Sequence, residues 1–202
     1  MRTYDLMYRL GVTPWEGYRR AAHGSVTRLL DREEAGRPRP LGRALDVGCG
    51  RGQYTPELAR RGWEAVGVDV VRSAVEDARR RGPADVSYVV GDATDLTALG
   101  LGSFDFFLDV GCFQGLDADA RAAEGSGVTA LANPGATMLM LAFGRTSLSR
   151  LIGGVTQAEV EGAFPRWELL AVDPADTTGL GRPMNRTAPR WYRLGLGNHE
   201  AP

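Results

Sequence analysis

The chain has 202 residues, a formal charge of −1 and 43 % apolar side chains, as expected of one globular domain with no global pull toward nucleic acid or an anionic membrane. All 24 basic residues are arginines, which excludes imine chemistry on a lysine and the lysine of a phosphate-binding P-loop. His23, His199, Cys49 and Cys112 offer no zinc or di-histidine spacing, and a Ser-His-Asp site would have to use His23, which no nucleophile motif accompanies.

The opening stretch to Gly17 is aromatic and irregular, with no uninterrupted apolar run, so it does not read as a signal peptide. Tyr18, Ala22, Val26, Leu29 and Leu30 then recur at helical spacing and predict a helix to about Leu30. A Pro/Gly linker, Glu33 to Gly42, leads to a first strand in Ala44–Val47. Thr55 is placed to cap a short helix with Pro56 in its first turn and Gly62 at its end. A second strand, Ala65–Val68, precedes a helix from Ser73 to Arg81 that Gly82-Pro83 stops, and a third strand covers Val86–Val90. The fourth strand is Phe104–Val110, and a helix over Ala118–Leu131 is weakened by Gly125 and Gly127.

Asn133-Pro-Gly reads as the turn before a fifth strand, Thr137–Phe143. The longest apolar run, Ala136 to Phe143, is too short to span a bilayer. Thr156 and Glu159 form a capping-box start before Val160 and Phe164. Trp167–Val172 and Trp191–Leu196 are the last two strands, separated by a polar loop from Asp173 to Pro189. Strands alternating with helices predict a sheet covered on both faces. Two unpaired cysteines predict a reducing, cytoplasmic setting.

The informative segment is Ala44-Leu-Asp-Val-Gly-Cys-Gly-Arg-Gly-Gln-Tyr. An apolar strand ends in Asp46, and Gly48, Gly50 and Gly52 then alternate before a helix. Glycines here permit positive φ and let backbone approach a ligand, at the strand end where nucleotide-like cofactors bind. A dinucleotide fingerprint needs G-x-G-x-x-G, and its third glycine position holds Gln53. Asp46 beside the turn would repel a pyrophosphate and favour a cation. Asp69 ends the second strand, where a carboxylate can accept both hydroxyls of a ribose, and Asp92 ends the third, where it can accept an adenine amino group.

The segments LDVGCGRGQY, AVGVDV, VVGDATDL and FDFFLDVGCF resemble the successive motifs of class I S-adenosylmethionine-dependent methyltransferases. The resemblance implies a three-layer Rossmann-like fold, with a seven-stranded, mostly parallel sheet whose last strand is antiparallel. It also implies S-adenosylmethionine as cofactor, with S-adenosylhomocysteine as product. Asp46 would lie near the methionine amino group, Asp69 on the ribose, Asp92 and Ala93 on the adenine, and Val70 against the purine. Asp109, Val110 and Gly111 would line the methionine side through main-chain groups, and Tyr54 would cover it. Cys49 and Cys112 would border the cofactor as packing residues. One departure is Val71, where related sequences often place a Ser or Thr cap.

The arm YDLMYRLGVTPWEG is similar to the N-terminal segment of small-molecule methyltransferases of the thiopurine methyltransferase type, which makes Trp15 the candidate lid residue. The expected organisation is a single domain, with residues 1–33 as arm and lid, 43–143 as the cofactor core and 144–202 as the C-terminal strands. Strand four ends in Asp109-Val-Gly-Cys and not in the Asn/Asp-Pro-Pro-aromatic motif of amino-methylating DNA enzymes. The expected partner is therefore a small molecule carrying a thiol, a phenol or a heterocyclic nitrogen or oxygen. Neither nucleic acid nor membrane is expected, and the protein is read as a monomer or homodimer. The rival reading is a cofactor-binding sensor or partner subunit without catalysis.

Overall fold

The computed structural model describes residues 14–147, 153–178, 182 and 184–197, with the side chains of 14–23 and 184 outside the description. Its elements are α1 (Pro14–Glu34), β1 (Arg43–Val47), α2 (Thr55–Arg61), β2 (Glu64–Asp69), α3 (Arg72–Arg81) and β3 (Ser87–Val90). They continue with β4 (Phe104–Val110), α4 (Ala118–Leu131), β5 (Ala132–Phe143), α5 (Gln157–Ala163), β6 (Trp167–Pro174) and β7 (Pro189–Leu196). Short 3-10 turns at Ala93–Leu99 and Phe113–Gly115 follow β3 and β4.

The sheet order is β3-β2-β1-β4-β5-β7-β6. Strands β1 to β5 pair in parallel, and β7 runs antiparallel to both β5 and β6. This is the predicted seven-stranded architecture. Alternation along the strands divides the core between two faces. Val47, Phe107, Met138, Met140 and Tyr192 pack with Leu96, Val128, Val160 and Phe164 on one side. Ala44, Phe106, Leu108, Leu139 and Trp191 pack with Val26, Leu30 and Leu58 on the other. Helices α4 and α5 thus cover one face, and α1 and α2 the other. Among the described residues, no helix is long and apolar enough to cross a membrane.

Four local expectations need correction. The first helix runs on to Glu34, and Glu33 is a buried anchor instead of the start of a linker. Its carboxylate accepts from Arg37, from Arg193 Nε at 2.8 Å and from the Thr137 hydroxyl, which fastens α1 to β5 and β7. Thr55 does not cap α2. Tyr54 holds the cap position without a side-chain capping bond, and the Thr55 hydroxyl is directed to Asp46 instead.

Asn133-Pro-Gly lies within β5 as an irregularity, because pairing with β4 jumps from Phe104↔Ala132 to Phe106↔Thr137. Gly125 and Gly127 do not weaken α4; they let its neighbours approach. A β-carbon on Gly125 would stand 1.9 Å from the Ala163 carbonyl oxygen, and one on Gly127 would stand 3.2 Å from Leu96 Cβ. The predicted capping box of α5 is present, with Thr156 N–H donating to Glu159 Oε2 at 2.8 Å and Glu159 N–H to Thr156 Oγ1 at 3.3 Å.

Candidate active site

Asp92, Asp69, Asp46 and Asp109 stand at or beside the carboxyl ends of β3, β2, β1 and β4, four neighbouring strands. The loop from Gly48 to Tyr54 crosses this edge with Gly48, Gly50 and Gly52 at φ of 69°, 56° and 73°. A side chain at Gly48 would strike Cys112, whose Cβ lies 2.6 Å from the position of the added carbon. These two glycine-loop constraints, positive φ and close approach, explain why the sequence needs glycine there.

Asp69 ties the loop to the sheet. Its Oδ2 accepts from Gly50 N–H and its Oδ1 from Val71 N–H, both at 2.8 Å. Val71 holds the N-cap of α3 with no side-chain acceptor, and the Ala74 N–H that a hydroxyl cap would take donates to the Val71 carbonyl at 3.0 Å instead. Burial raises the Asp69 pKa, and the two N–H donors oppose the rise. Asp92 accepts from the N–H and the hydroxyl of Thr94 through Oδ1 alone, which leaves Oδ2 open among the described residues. Ala93 is buried beneath it, whereas Val70 is 40 % exposed, an apolar side chain standing clear beside Asp69.

Asp46 is buried and accepts from Thr55 Oγ1 at 2.6 Å. Its pKa is pushed up to about 7, first by burial and then by the charges of Asp109 and Asp69, against the pull of the Thr55 bond. Asp46, Gly48, Gly50, Gln53, Tyr54 and Val110 line one small cleft. A larger cavity opens on the other side of the loop, lined in part by Arg51, Gln53, Arg81 and Tyr88, and takes in none of the strand-end acids. Cys49 is buried against Gly67 and its thiol pKa is raised by burial, as suits a packing residue.

The carboxylate of Asp109 is turned away from this cleft. It accepts from Cys112 N–H at 2.9 Å and Phe113 N–H at 3.0 Å, and so closes the turn after β4. Gly111 N–H is likewise used in the fold, donating to Leu141 O at 3.0 Å. Behind Asp109 lies Glu124, fully buried, an acid that the sequence reading missed in an Ala- and Gly-rich helix. Trp15 falls in the first turn of α1, and its side chain lies outside the described residues, as do arm residues 1–13.

Residues 44–135 match the family described as methyltransferase domain. The chain is 28 % identical over 142 residues to the 2-heptyl-1-hydroxyquinolin-4(1H)-one methyltransferase of Mycobacteroides abscessus, over 66 % of this chain and 62 % of that one. It is 32 % identical over 142 residues to nodulation protein S of Rhizobium tropici, over 69 % of this chain and 59 % of that one. It therefore spans less than two thirds of either relative. In structure it is similar to the N-methyltransferase NodS of Bradyrhizobium japonicum in complex with S-adenosylhomocysteine. That likeness has a TM-score of 0.72 at 17 % identity, covering 94 % of this chain and 91 % of the other, and is one of fold.

Proposed function

We propose that the chain is a methyltransferase that transfers a methyl group from S-adenosylmethionine to a small-molecule acceptor with a thiol, phenol or heterocyclic nitrogen or oxygen nucleophile. The observation that carries the reading is the set of Asp92, Asp69 and Asp46 at three neighbouring strand ends around a loop with three glycines at positive φ. Their chemistry fits the cofactor. Clustered carboxylates suit a sulfonium and an ammonium group and disfavour a pyrophosphate, while Val70 and Asp92 Oδ2 offer an apolar face and a free acceptor to a purine.

In this reading Asp69, held by two N–H donors, accepts from the ribose hydroxyls. Asp92 and Ala93 hold the adenine, and Val70 packs on its face. Asp46, oriented by Thr55, faces the methionine ammonium group. Gly48, Cys49, Gly50 and Gly52 present backbone, Tyr54 covers the methionine end, and Asp109, Val110 and Gly111 form its floor through main chain. When bound, S-adenosylmethionine supplies an electrophilic methyl carbon on a positively charged sulfur. The chain's contribution is to align the nucleophile with that carbon and exclude water, since the displacement neutralises charge and needs no strong base for a thiolate or phenolate.

The arm supports a place beside small-molecule methyltransferases of the thiopurine type, with Trp15 in a lid. The two free thiols support a reducing, cytoplasmic setting. Calorimetry with S-adenosylmethionine, S-adenosylhomocysteine and NAD tests the cofactor, and product release from a panel of thiols, phenols and N-heterocycles tests the reaction. Binding of NAD in place of either sulfur ligand overturns the reading. Sulfur-ligand binding without turnover of any acceptor favours a non-catalytic sensor.

A further inference from the structure

We infer that Gln114 is the residue that recognises the methyl acceptor, and that it selects acceptors bearing a carbonyl-type oxygen next to the atom to be methylated; the inference rests on the proposed methyl transfer. The basis is a fixed amide. Phe143 N–H, at the carboxyl end of β5, donates to Gln114 Oε1 at 2.6 Å. An amide nitrogen has no lone pair with which to accept, so this bond settles which end of the side chain is oxygen.

Nε2 then stands 3.8 Å from where a β-carbon on Gly111 would be. Two N–H donors are thus held beside Gly111 at the end of β4, next to the end of β5, and among the described residues nothing accepts from them. Gln114 itself is only partly buried. Its main chain is immobilised too, because Arg121 Nη2 donates to the Gln114 carbonyl at 3.1 Å while Arg121 Nη1 is paired with Glu159.

The placement decides the role. In the proposed reading the three strand-end acids over β3, β2 and β1 and the main chain at the end of β4 hold the cofactor, which leaves the side toward β5 for the second reactant. A carboxamide donates hydrogen bonds but does not take up a proton at neutral pH, so Gln114 orients and does not deprotonate. The acceptor it suits has a lone-pair oxygen to receive the N–H groups and a nucleophile acidic enough to lose its proton to solvent. A carbonyl beside an N-hydroxyl or phenol provides both. The resulting oxyanion forms the new C–O bond as the C–S bond breaks, with the electron pair passing to sulfur.

Two isomeric probes separate position from nucleophile type: 1-hydroxyquinolin-2(1H)-one, with its carbonyl adjacent to the N-hydroxyl, and 1-hydroxyquinolin-4(1H)-one, with its carbonyl remote. The wild-type protein is expected to favour the first by at least tenfold in kcat/KM. Gln114→Glu keeps an oxygen for Phe143 N–H and replaces the donors by a second oxygen. It should lower kcat/KM for the first probe at least tenfold, mainly through KM, with S-adenosylhomocysteine affinity within twofold of wild type. Gln114→Met should likewise erase the preference. Equal use of the two isomers by the wild type, or a preference that survives both variants, overturns the inference and leaves methyl transfer standing. Binding of S-adenosylhomocysteine with turnover of neither probe also overturns it. Loss of that binding in the wild type would instead defeat the proposed function itself.

Discussion

Glu124 stands against Asp109 in the core, and among the described residues no hydrogen-bond donor reaches either of its carboxylate oxygens, whereas Asp109 accepts two main-chain N–H groups. Two unprotonated carboxylates in that position would repel, and the Glu124 oxygens would lack a donor while Arg121 offsets their charge only from a distance. The pair is satisfied when Glu124 keeps its proton and donates it to Asp109. Burial and the neighbouring Asp109 charge push Glu124 well above the ordinary carboxylate range, and burial lifts Asp109 to about 6.

The sign of the pH dependence follows. Asp46, at about 7, and Asp109, at about 6, bind protons more tightly in the folded chain than in the unfolded one. Their contribution to stability is complete below the unfolded carboxylate range and is lost as pH rises through about 6 to 7; Glu124 extends the loss to higher pH. Urea denaturation midpoints should therefore fall between pH 5 and pH 9 on account of these groups. Glu124→Gln, which donates an N–H at every pH, should flatten the alkaline part of that slope. Equal slopes in the two proteins would show that no proton is shared.

Asp69→Ala removes both the proposed ribose acceptor and the tie to Gly50 N–H. The expected loss of S-adenosylhomocysteine affinity is about 1.5–3 kcal/mol, the range for a hydrogen bond to a charged group. Calorimetry on a variant with wild-type circular dichroism measures it, and unchanged affinity would place the ribose elsewhere.

The glycines of α4 and α5 make opposite predictions from one rule. A β-carbon on Gly125 meets the Ala163 carbonyl oxygen, a backbone atom with no freedom to withdraw, so Gly125→Ala should cost about 1–3 kcal/mol through overpacking. Gly162 lies inside α5 with nothing within 4 Å of its added carbon, and Gly162→Ala should stabilise by about 0.5–1 kcal/mol through helix propensity. Thermal melts of the two variants should move in opposite directions. A common direction would mean that propensity alone governs both sites.

These glycines also mark the boundary of what was legible in the sequence. Strand positions, the glycine loop and the acids at strand ends are local patterns, and each could be read from spacing. Gly125 looked like a defect because its reason lies 38 residues away, at Ala163. Thr55 looked like a cap because Asp46, its partner across the loop, precedes it by nine residues in a strand. Glu124 looks like a solvated helix acid and Glu33 like the start of a linker until the sheet brings Asp109 to one, and Thr137 and Arg193 to the other. The fixed amide of Gln114 needs Phe143, 29 residues further on. Long-range partners of polar side chains were the illegible part.

Residues 1–16 carry two tyrosines, two methionines and Trp15 between glycines that permit pivoting, and the lid reading predicts a specific failure. Deleting them should abolish methyl transfer while leaving the thermal transition cooperative, because Val26, Leu30 and Glu33 of α1 stay buried on the sheet. Normal turnover by the truncated protein, or outright unfolding, would remove the lid.

Glu33 tests how firmly that helix is held. It is an anion at the end of α1 with its side chain 1 % exposed, and it faces two arginines from different parts of the chain, Arg37 and Arg193. Taking such a charge out of water is unfavourable by itself, and the two guanidinium groups and the Thr137 hydroxyl compensate for it. Removing the carboxylate leaves two cations facing each other at the join of α1, β5 and β7, so Glu33→Ala should destabilise by about 3–5 kcal/mol. Glu33→Gln retains the shape and an oxygen acceptor but not the charge, and should fall between Ala and wild type. If α1 also carries a lid, both variants should lose acceptor turnover before cofactor affinity, because the acids at the strand ends do not touch Glu33. Chemical denaturation alongside calorimetry separates the two effects. A loss of cofactor affinity equal to the loss of turnover would mean that α1 supports the whole site and gates nothing.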